Sequence, residues 1–560
     1  MISKISKLIL ALAFVGSSVF AQSLDDAKKA IDAEQYQKAK SMLKNLTVTQ
    51  ATKDENFFYL GWVYILQDYT DSAKTVFNKG IAVNPKSALN YAGLGVAAFV
   101  DKDKATATTN FNQAVSLAGK SSTPYIYIGE GYLLNPVNDK VDAADANAAI
   151  AVLNKGKAVN PKDAELLVVL GDAYRTQLKS SEALDNYMAA LALNPKLAHA
   201  KVATGVLWRF ANNFTDSEQQ FKDALAIDPN YGPAYREWAE TDVRWALTDP
   251  KSASAKIKEA VDQYRKYLSL TDMSLESRLR YADFLAYAGD YKALQTEATE
   301  LAKSSNNNLR VYRYLGYAAY ENKDYPAALT AMNTWVTKAE PKRVIPRDYL
   351  YLGRILIASQ QDSLGIAALQ KAYTMDTTQA DVFAEIGKSL YAQKKYEKAG
   401  DAYRTYLTKS HKGTLNDYLR VGTSYYFAFD PAKNPDTTLL TKADSAFSYI
   451  SQKASKPIPA VVLFRARVND SKEVDRNNIK GFAKPYYEQY ITIMTATPPT
   501  DEKAKRDLAE AYIYLGNIYQ YKEKDDAKAT ENFTKAKELD PTNKQVASFF
   551  SRKGGAAKGK

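Results

Sequence analysis

The sequence predicts an all-α fold, an array of about fourteen antiparallel helical hairpins, and three observations predict it. Glycine returns at a stride of 34 residues at Gly61, Gly95 and Gly129, at Gly171 and Gly205, and at Gly353 and Gly387. A fixed stride of this length marks one structural unit copied in tandem. Around each glycine one frame recurs: a large apolar residue four before, an aliphatic one before, an aromatic three after, Ala twelve after and an aromatic sixteen after. Phe57, Leu60, Gly61, Tyr64, Ala73 and Phe77 show it, and Leu167, Leu170, Gly171, Tyr174, Ala183 and Tyr187 repeat it. Spacings of three, four and seven are helical. The units also close on Asn-Pro or Asp-Pro, at Asn84-Pro85, Asn160-Pro161, Asn194-Pro195, Asp228-Pro229 and Asp540-Pro541. Proline there lacks a donor and disfavours helical geometry in the residue before it, so each second helix ends.

Taken in order, residues 1–21 read as a secretory signal. Lys4 and Lys7 give a charged start, Leu8 to Val15 an apolar stretch, and Val19-Phe20-Ala21 a small-residue site before Gln22. The apolar run is too short to span a bilayer, which needs about 20 residues. Hairpins are then expected to begin near Ser23, Asp54, Ala88, Ser122, Ala164, Ala198, Gly232, Leu275, Leu309, Pro346, Ala380, Leu415, Pro459 and Ala509. Insertions fall at 135–143, 248–255, 430–439 and 469–480. Residues 22–549 are expected to form one continuous array, with a candidate hinge or irregular region at about 430–480. Val546, Phe549 and Phe550 are placed to cover the last hairpin, and 550–560 reads as a disordered basic tail.

The repeating frame closely resembles that of the tetratricopeptide repeat (TPR) family over nearly all of the chain after residue 21, and implies an α-α superhelical solenoid. The Val19–Gln22 junction resembles export signals of Gram-negative bacteria of the Bacteroidetes type, which implies a periplasmic location. With no cysteine, disulfides, thiolate metal sites, thiol catalysis and lipoprotein anchoring are excluded. The net charge of +12 favours acidic partners or anionic surfaces, while export makes nucleic acid an unexpected partner.

Chemical motifs dissolve into the repeat. Ala114 to Ser121 satisfies a relaxed phosphate-loop pattern, but it ends a second helix instead of following a strand. Gly93 to Ala98 mimics a dinucleotide fingerprint, yet its second glycine, Gly95, is the repeat's own. The two histidines, His199 and His411, lie in different units. Neither HExxH nor GxSxG occurs, so no catalytic residue, metal ligand or cofactor is expected.

The family resemblance places ligands against the first helices, through the second, fifth, ninth and twelfth repeat positions with the glycine as eighth. Early units give an apolar groove, Phe58, Trp62 and Ile65, Leu89, Val96 and Phe99, then Ile126, Glu130 and Leu133. From the fifth unit Arg175, Arg209, Arg236, Arg310, Arg313, Arg347, Arg354 and Lys388 take these positions, with Arg244, Arg280 and Arg420 one step away. No arginine precedes Arg175, yet eleven of the nineteen lie in first helices of units five to twelve. Tyr317, Tyr320, Tyr391 and Tyr426 share this face. Arginine offers a planar fork for carboxylates, and tyrosine gives contact area at low entropic cost. Two readings stay open: a groove for a partner, or bridges between helices with Arg paired to Glu237, Glu240, Asp283 or Glu385.

The expected function is a non-enzymatic periplasmic scaffold that binds an extended acidic or mixed segment of another envelope protein. A glycan- or nutrient-binding protein is the alternative. The sequence leaves the oligomeric state open.

Overall fold

The computed structural model describes residues 23–134, 141–304, 308–473 and 479–557. The signal reading of 1–21 and parts of two insertions, 135–140 and 474–478, lie outside them. The described residues form fourteen helical hairpins and one closing helix, with no strand and a single isolated bridge between Asp430 and Asn434.

The chain divides into two compact units, Met1–Asn307 and Asn308–Lys560. First helices of the N-terminal unit are Leu24–Asp32, Asp54–Leu66, Ala88–Val100, Thr123–Leu133, Ala164–Thr176, Ala198–Phe210, Gly232–Thr248 and Leu275–Ala288. Those of the C-terminal unit are Arg310–Glu321, Pro346–Ala358, Val382–Ala392, Leu415–Ala428, Pro459–Ser471 and Glu502–Asn517. Each pairs with the helix that follows it. The expected starts agree within two residues except the last, where the helix begins at Glu502, seven residues before Ala509.

The frame residues explain the pairing. A Cβ on Gly61 would overlap the Phe77 ring, and one on Gly171 would overlap Tyr187. The residue sixteen positions on therefore seats its ring directly against the first helix's backbone, and Ala73 and Ala183 beside it are fully buried. Most hairpin turns place one residue in the left-handed region, among them Glu34, Asp68, Lys102, Leu178, Asn212, Lys323 and Lys394, which closes the first helix within a short connection.

The border between the two compact units is Asn307–Asn308. The link over residues 304–308 lacks the Asn-Pro or Asp-Pro closure and is wholly Ser and Asn in sequence. Glu473 accepts from the backbone N–H of Lys480 and Phe482 at 2.6 and 2.7 Å. The last segment is not simply a tail, for Lys544–Ala557 is helical. Phe549 is buried and stacks on Phe533 at 4.1 Å, so this helix caps the fourteenth hairpin. Residues 558–560 lie outside the description.

Gly119 follows the helix Lys104–Leu117 with φ of 57°, so the phosphate-loop lookalike is a helix terminus.

Candidate partner-binding surfaces

The same repeat positions converge in the N-terminal unit on a cavity of about 880 Å³. Its wall comes from the first helices of hairpins one, two and four to seven. The first hairpin docks against the seventh and closes the ring. Tyr231 donates to Asp32 at 3.1 Å, Tyr267 to Glu34 at 2.8 Å, and the Gln37 backbone N–H to Asp272 at 2.8 Å. Glu34 also pairs with Arg236.

The arginines of this unit are engaged. Arg175 donates to Asp172 at 3.1 Å and to the Tyr187 hydroxyl at 3.2 Å. Arg209 and Arg236 both pair with Glu237, at 2.8 and 3.1 Å. Arg280 grips Glu240 with two bonds of 2.7 and 2.6 Å, reaches Asp283 at 3.4 Å and lies over Phe284. Arg244 donates to Asn212 at 3.0 Å and lies over Phe210. Burial opposes the charge of Glu237, yet Arg236 and Arg209 hold its carboxyl down to about 2.

A polar cluster faces the cavity beside them. His199 approaches Asp172 at 3.4 Å. Burial pulls the imidazole down, but the Asp172 hydrogen bond and charge, with Asp32 and Glu165, push it up to about 10. Burial pushes Glu130 up to about 8 against the pull of His199, and raises Glu165 and Asp32 as well. Glu165, Asp172 and His199 occupy the second and ninth repeat positions, two of the four used to find the arginines. The signal is present in the sequence, but from these two units the reading takes only Arg175 and Arg209.

Phe58 and Phe99 do not line a groove. They are 0% and 6% exposed: Phe58 packs edge-on to Tyr127 at 4.6 Å, and Phe99 to Tyr132 at 5.1 Å. Trp62 is also buried, yet it forms part of the cavity wall beside Tyr127. Phe58 and Phe99 turn inward because neighbouring first helices pack on one another here, whereas Ile126 and Leu133 join Trp62 in the cavity wall.

In the C-terminal unit the carboxylates again meet the guanidiniums. Asp348, fully buried, accepts from Arg313 at 2.8 and 2.9 Å and from the Tyr317 hydroxyl at 2.6 Å. Arg354 pairs with Glu385 at 2.6 Å. Arg310 donates to the Tyr314 hydroxyl at 3.1 Å. Arg347 lies 5.4 and 5.7 Å from the Tyr317 and Tyr351 rings, which stack at 4.1 Å. Tyr320, Tyr391 and Tyr426 are half-buried, and Lys388 and Arg420 are exposed. All four carboxylates anticipated as bridging partners, Glu237, Glu240, Asp283 and Glu385, are in contact with arginine.

Glu218, Asp242 and Glu259 are spaced to hold a metal ion. The Lys256 ammonium sits among them, 3.3 Å from Asp242 and 2.7 Å from Glu259 and paired with Glu218. That cluster is a staple between hairpins.

Hairpins stacked on shared first-helix faces define a helical-repeat protein whose architecture fits a protein–protein interaction scaffold. Residues 168–232 match the tetratricopeptide repeat model. Among solved structures, the C-terminal part of a TPR repeat-containing protein from Cytophaga hutchinsonii is 29% identical, covering 48% of this chain and 98% of its own, with a TM-score of 0.36. A thermophilic TPR protein of Thermus thermophilus is 20% identical over 34% of this chain and 98% of its own, TM-score 0.28. The Cut9–Hcn1 hetero-tetramer of APC/C is 16% identical over 89% of this chain and 90% of its own, TM-score 0.34. No curated protein matches the sequence. Among the described residues, no helix is long and apolar enough to cross a membrane.

Proposed function

We propose that this protein is a non-enzymatic scaffold exported to the periplasm, where it holds an extended segment of another envelope protein against its first-helix faces. The observation that carries this reading is the ladder of tyrosines and arginines on successive first helices of the C-terminal unit. Tyr320, Arg347, Arg354, Tyr391 and Tyr426 present half-buried rings and forks already fixed by stacking or by pairing with Glu385. Side chains ordered before binding lose little further entropy on contact. Because most guanidiniums already have carboxylates, a partner of mixed composition fits better than a purely acidic one. The export and envelope parts of the reading rest on the Lys4 to Gln22 pattern alone.

A photo-cross-linking amino acid at Tyr320 or Tyr391, compared with one at exposed Lys371 on a second helix, tests it. The expected product is one partner whose cross-linked peptides form a contiguous segment, captured from the first-helix positions only. Equal capture from Lys371 would sink the reading.

A further inference from the structure

We propose that the cavity of the N-terminal unit receives a basic side chain, lysine or arginine, of the partner segment, with Glu130 and Glu165 as its carboxylate receivers. This rests on the scaffold reading and names the chemistry of one part of the partner.

The first support is a mismatch in pairing. Glu34, Asp172 and Glu237 each have cationic partners across the cavity wall. Glu130 and Glu165 face the same space and make no hydrogen bond or ion pair among the described residues, although Glu130 is recessed into the wall. A recessed, unpartnered carboxylate is costly, and a cation from outside relieves that cost. Seven carboxylates line the cavity against five lysines and arginines and His199, and immediately around Glu130 the carboxylates of Glu165, Asp172 and Asp32 outnumber His199, although the whole chain carries +12. Anions find the reverse. Arg175, Arg209 and Arg236 are already gripped by carboxylates and Lys28 lies over the Tyr59 ring, so among the described residues of the lining no guanidinium fork is left for a partner's acid.

The wall supplies the second support. Tyr59, Trp62 and Tyr127 form one aromatic cluster beside Glu130, with Tyr59 and Trp62 centroids 5.9 and 4.8 Å from Tyr127. Such a surface accepts the alkyl stem of lysine or arginine and the face of its charge. The protein itself shows the arrangement: the Lys28 ammonium lies 4.7 Å over the Tyr59 ring.

Occupancy has a proton signature. Burial raises Glu130 to about 8, with Glu165, Asp172, Asp32 and His199 acting on it, so near pH 7 this carboxyl holds its proton. An entering ammonium favours the ionised form and releases that proton to the buffer.

The test is calorimetric titration of the full chain with acetyl-trilysine amide, against acetyl-triglutamate amide, in phosphate and in Tris at pH 7. Trilysine is expected to bind at least tenfold tighter than triglutamate, with heats that differ between buffers because a proton is released. Affinity should rise as pH passes 8. Glu130→Gln with Glu165→Gln should weaken trilysine at least tenfold, while exposed Glu538→Gln changes nothing. If the double variant fails to fold by circular dichroism, Glu165→Lys, at an exposed position, decides the matter by carrying an ammonium into the site. Unchanged trilysine affinity in the folded variants, or no preference over triglutamate, overturns the inference. Continued cross-linking at Tyr320 would then show that the scaffold reading survives its loss.

Discussion

Glu34 and Arg236 stand 202 residues apart and form an ion pair that fastens the first hairpin to the seventh. Glu34 sits in the left-handed region with φ of 59°, so the turn between the first two helices points its carboxylate at both Arg236 and the Tyr267 hydroxyl. Glu34→Gln keeps the turn and the size but removes the charge. Breaking a partly buried pair costs on the order of 2 kcal/mol or more, and the loss should be local. Amide exchange across Leu24–Thr49 is expected to accelerate at least tenfold while the fifth hairpin is unaffected. Unchanged exchange would mean that the clasp does not hold the ring.

Asp348 gathers four hydrogen bonds at the start of a first helix of the C-terminal unit. It is fully buried, takes both bonds of the Arg313 fork and the Tyr317 hydroxyl, and accepts from its own helix start at Ile345 N–H at 2.8 Å. Asp348→Ala leaves a buried guanidinium without its partner, for which ~3–5 kcal/mol is the expected loss. Arg420→Ala, at an exposed position, should change stability by less than ~0.5 kcal/mol. Urea unfolding of the two variants measures the contrast, and similar losses would refute the assignment of Asp348 as a staple.

The helix crossing at Gly61 makes a prediction about volume. Any Cβ there meets the Phe77 ring, so Gly61→Ala should destabilise by ~1–3 kcal/mol through overpacking, despite alanine's better helix propensity. Combining it with Phe77→Leu should recover part of that loss, since the smaller side chain vacates the contact. Additive losses in a double-mutant cycle would show that the two residues do not meet.

This crossing also explains what was legible in the sequence. Glycine, alanine and ring sit at fixed intervals because each hairpin solves the same packing problem, so hairpin number and thirteen of the fourteen starts follow from the stride. The site was less legible. A repeat position tells which way a side chain points, but not what it meets across the ring. Arg209 and Arg236 read equally as groove cations or as bridges until Glu237 and Glu34 are brought to them from other hairpins, and Phe58 reads as a groove residue until Tyr127 covers it. His199, which the sequence places only in a different unit from His411, meets carboxylates contributed by three hairpins. Contacts over such separations depend on how far each hairpin rotates against the last, which no single-repeat pattern states.

His199 gives the pH dependence of the N-terminal unit. Its folded pKa, about 10, lies above the ordinary value of 6.5, so the folded state holds the proton more tightly than the unfolded chain does. The stabilisation is fully present below pH 6.5 and is lost as pH rises through 10. Its side chain is 32% accessible, and water screening reduces the full linkage energy to about 2 kcal/mol near neutrality. His199→Gln should therefore lower the stability of this unit at pH 6 to 7, and the deficit should shrink toward zero near pH 10. Glu130 runs the opposite way in its variant: its carboxyl is raised to about 8, so the stability linked to its proton is present below pH 4.5 and lost as pH climbs through 8. Glu130→Gln should accordingly stabilise the unit above pH 8 and leave it little changed at pH 4. Thermal melts of both variants between pH 4 and 10 provide the measurement. Parallel, pH-independent offsets would contradict the roles assigned to both residues.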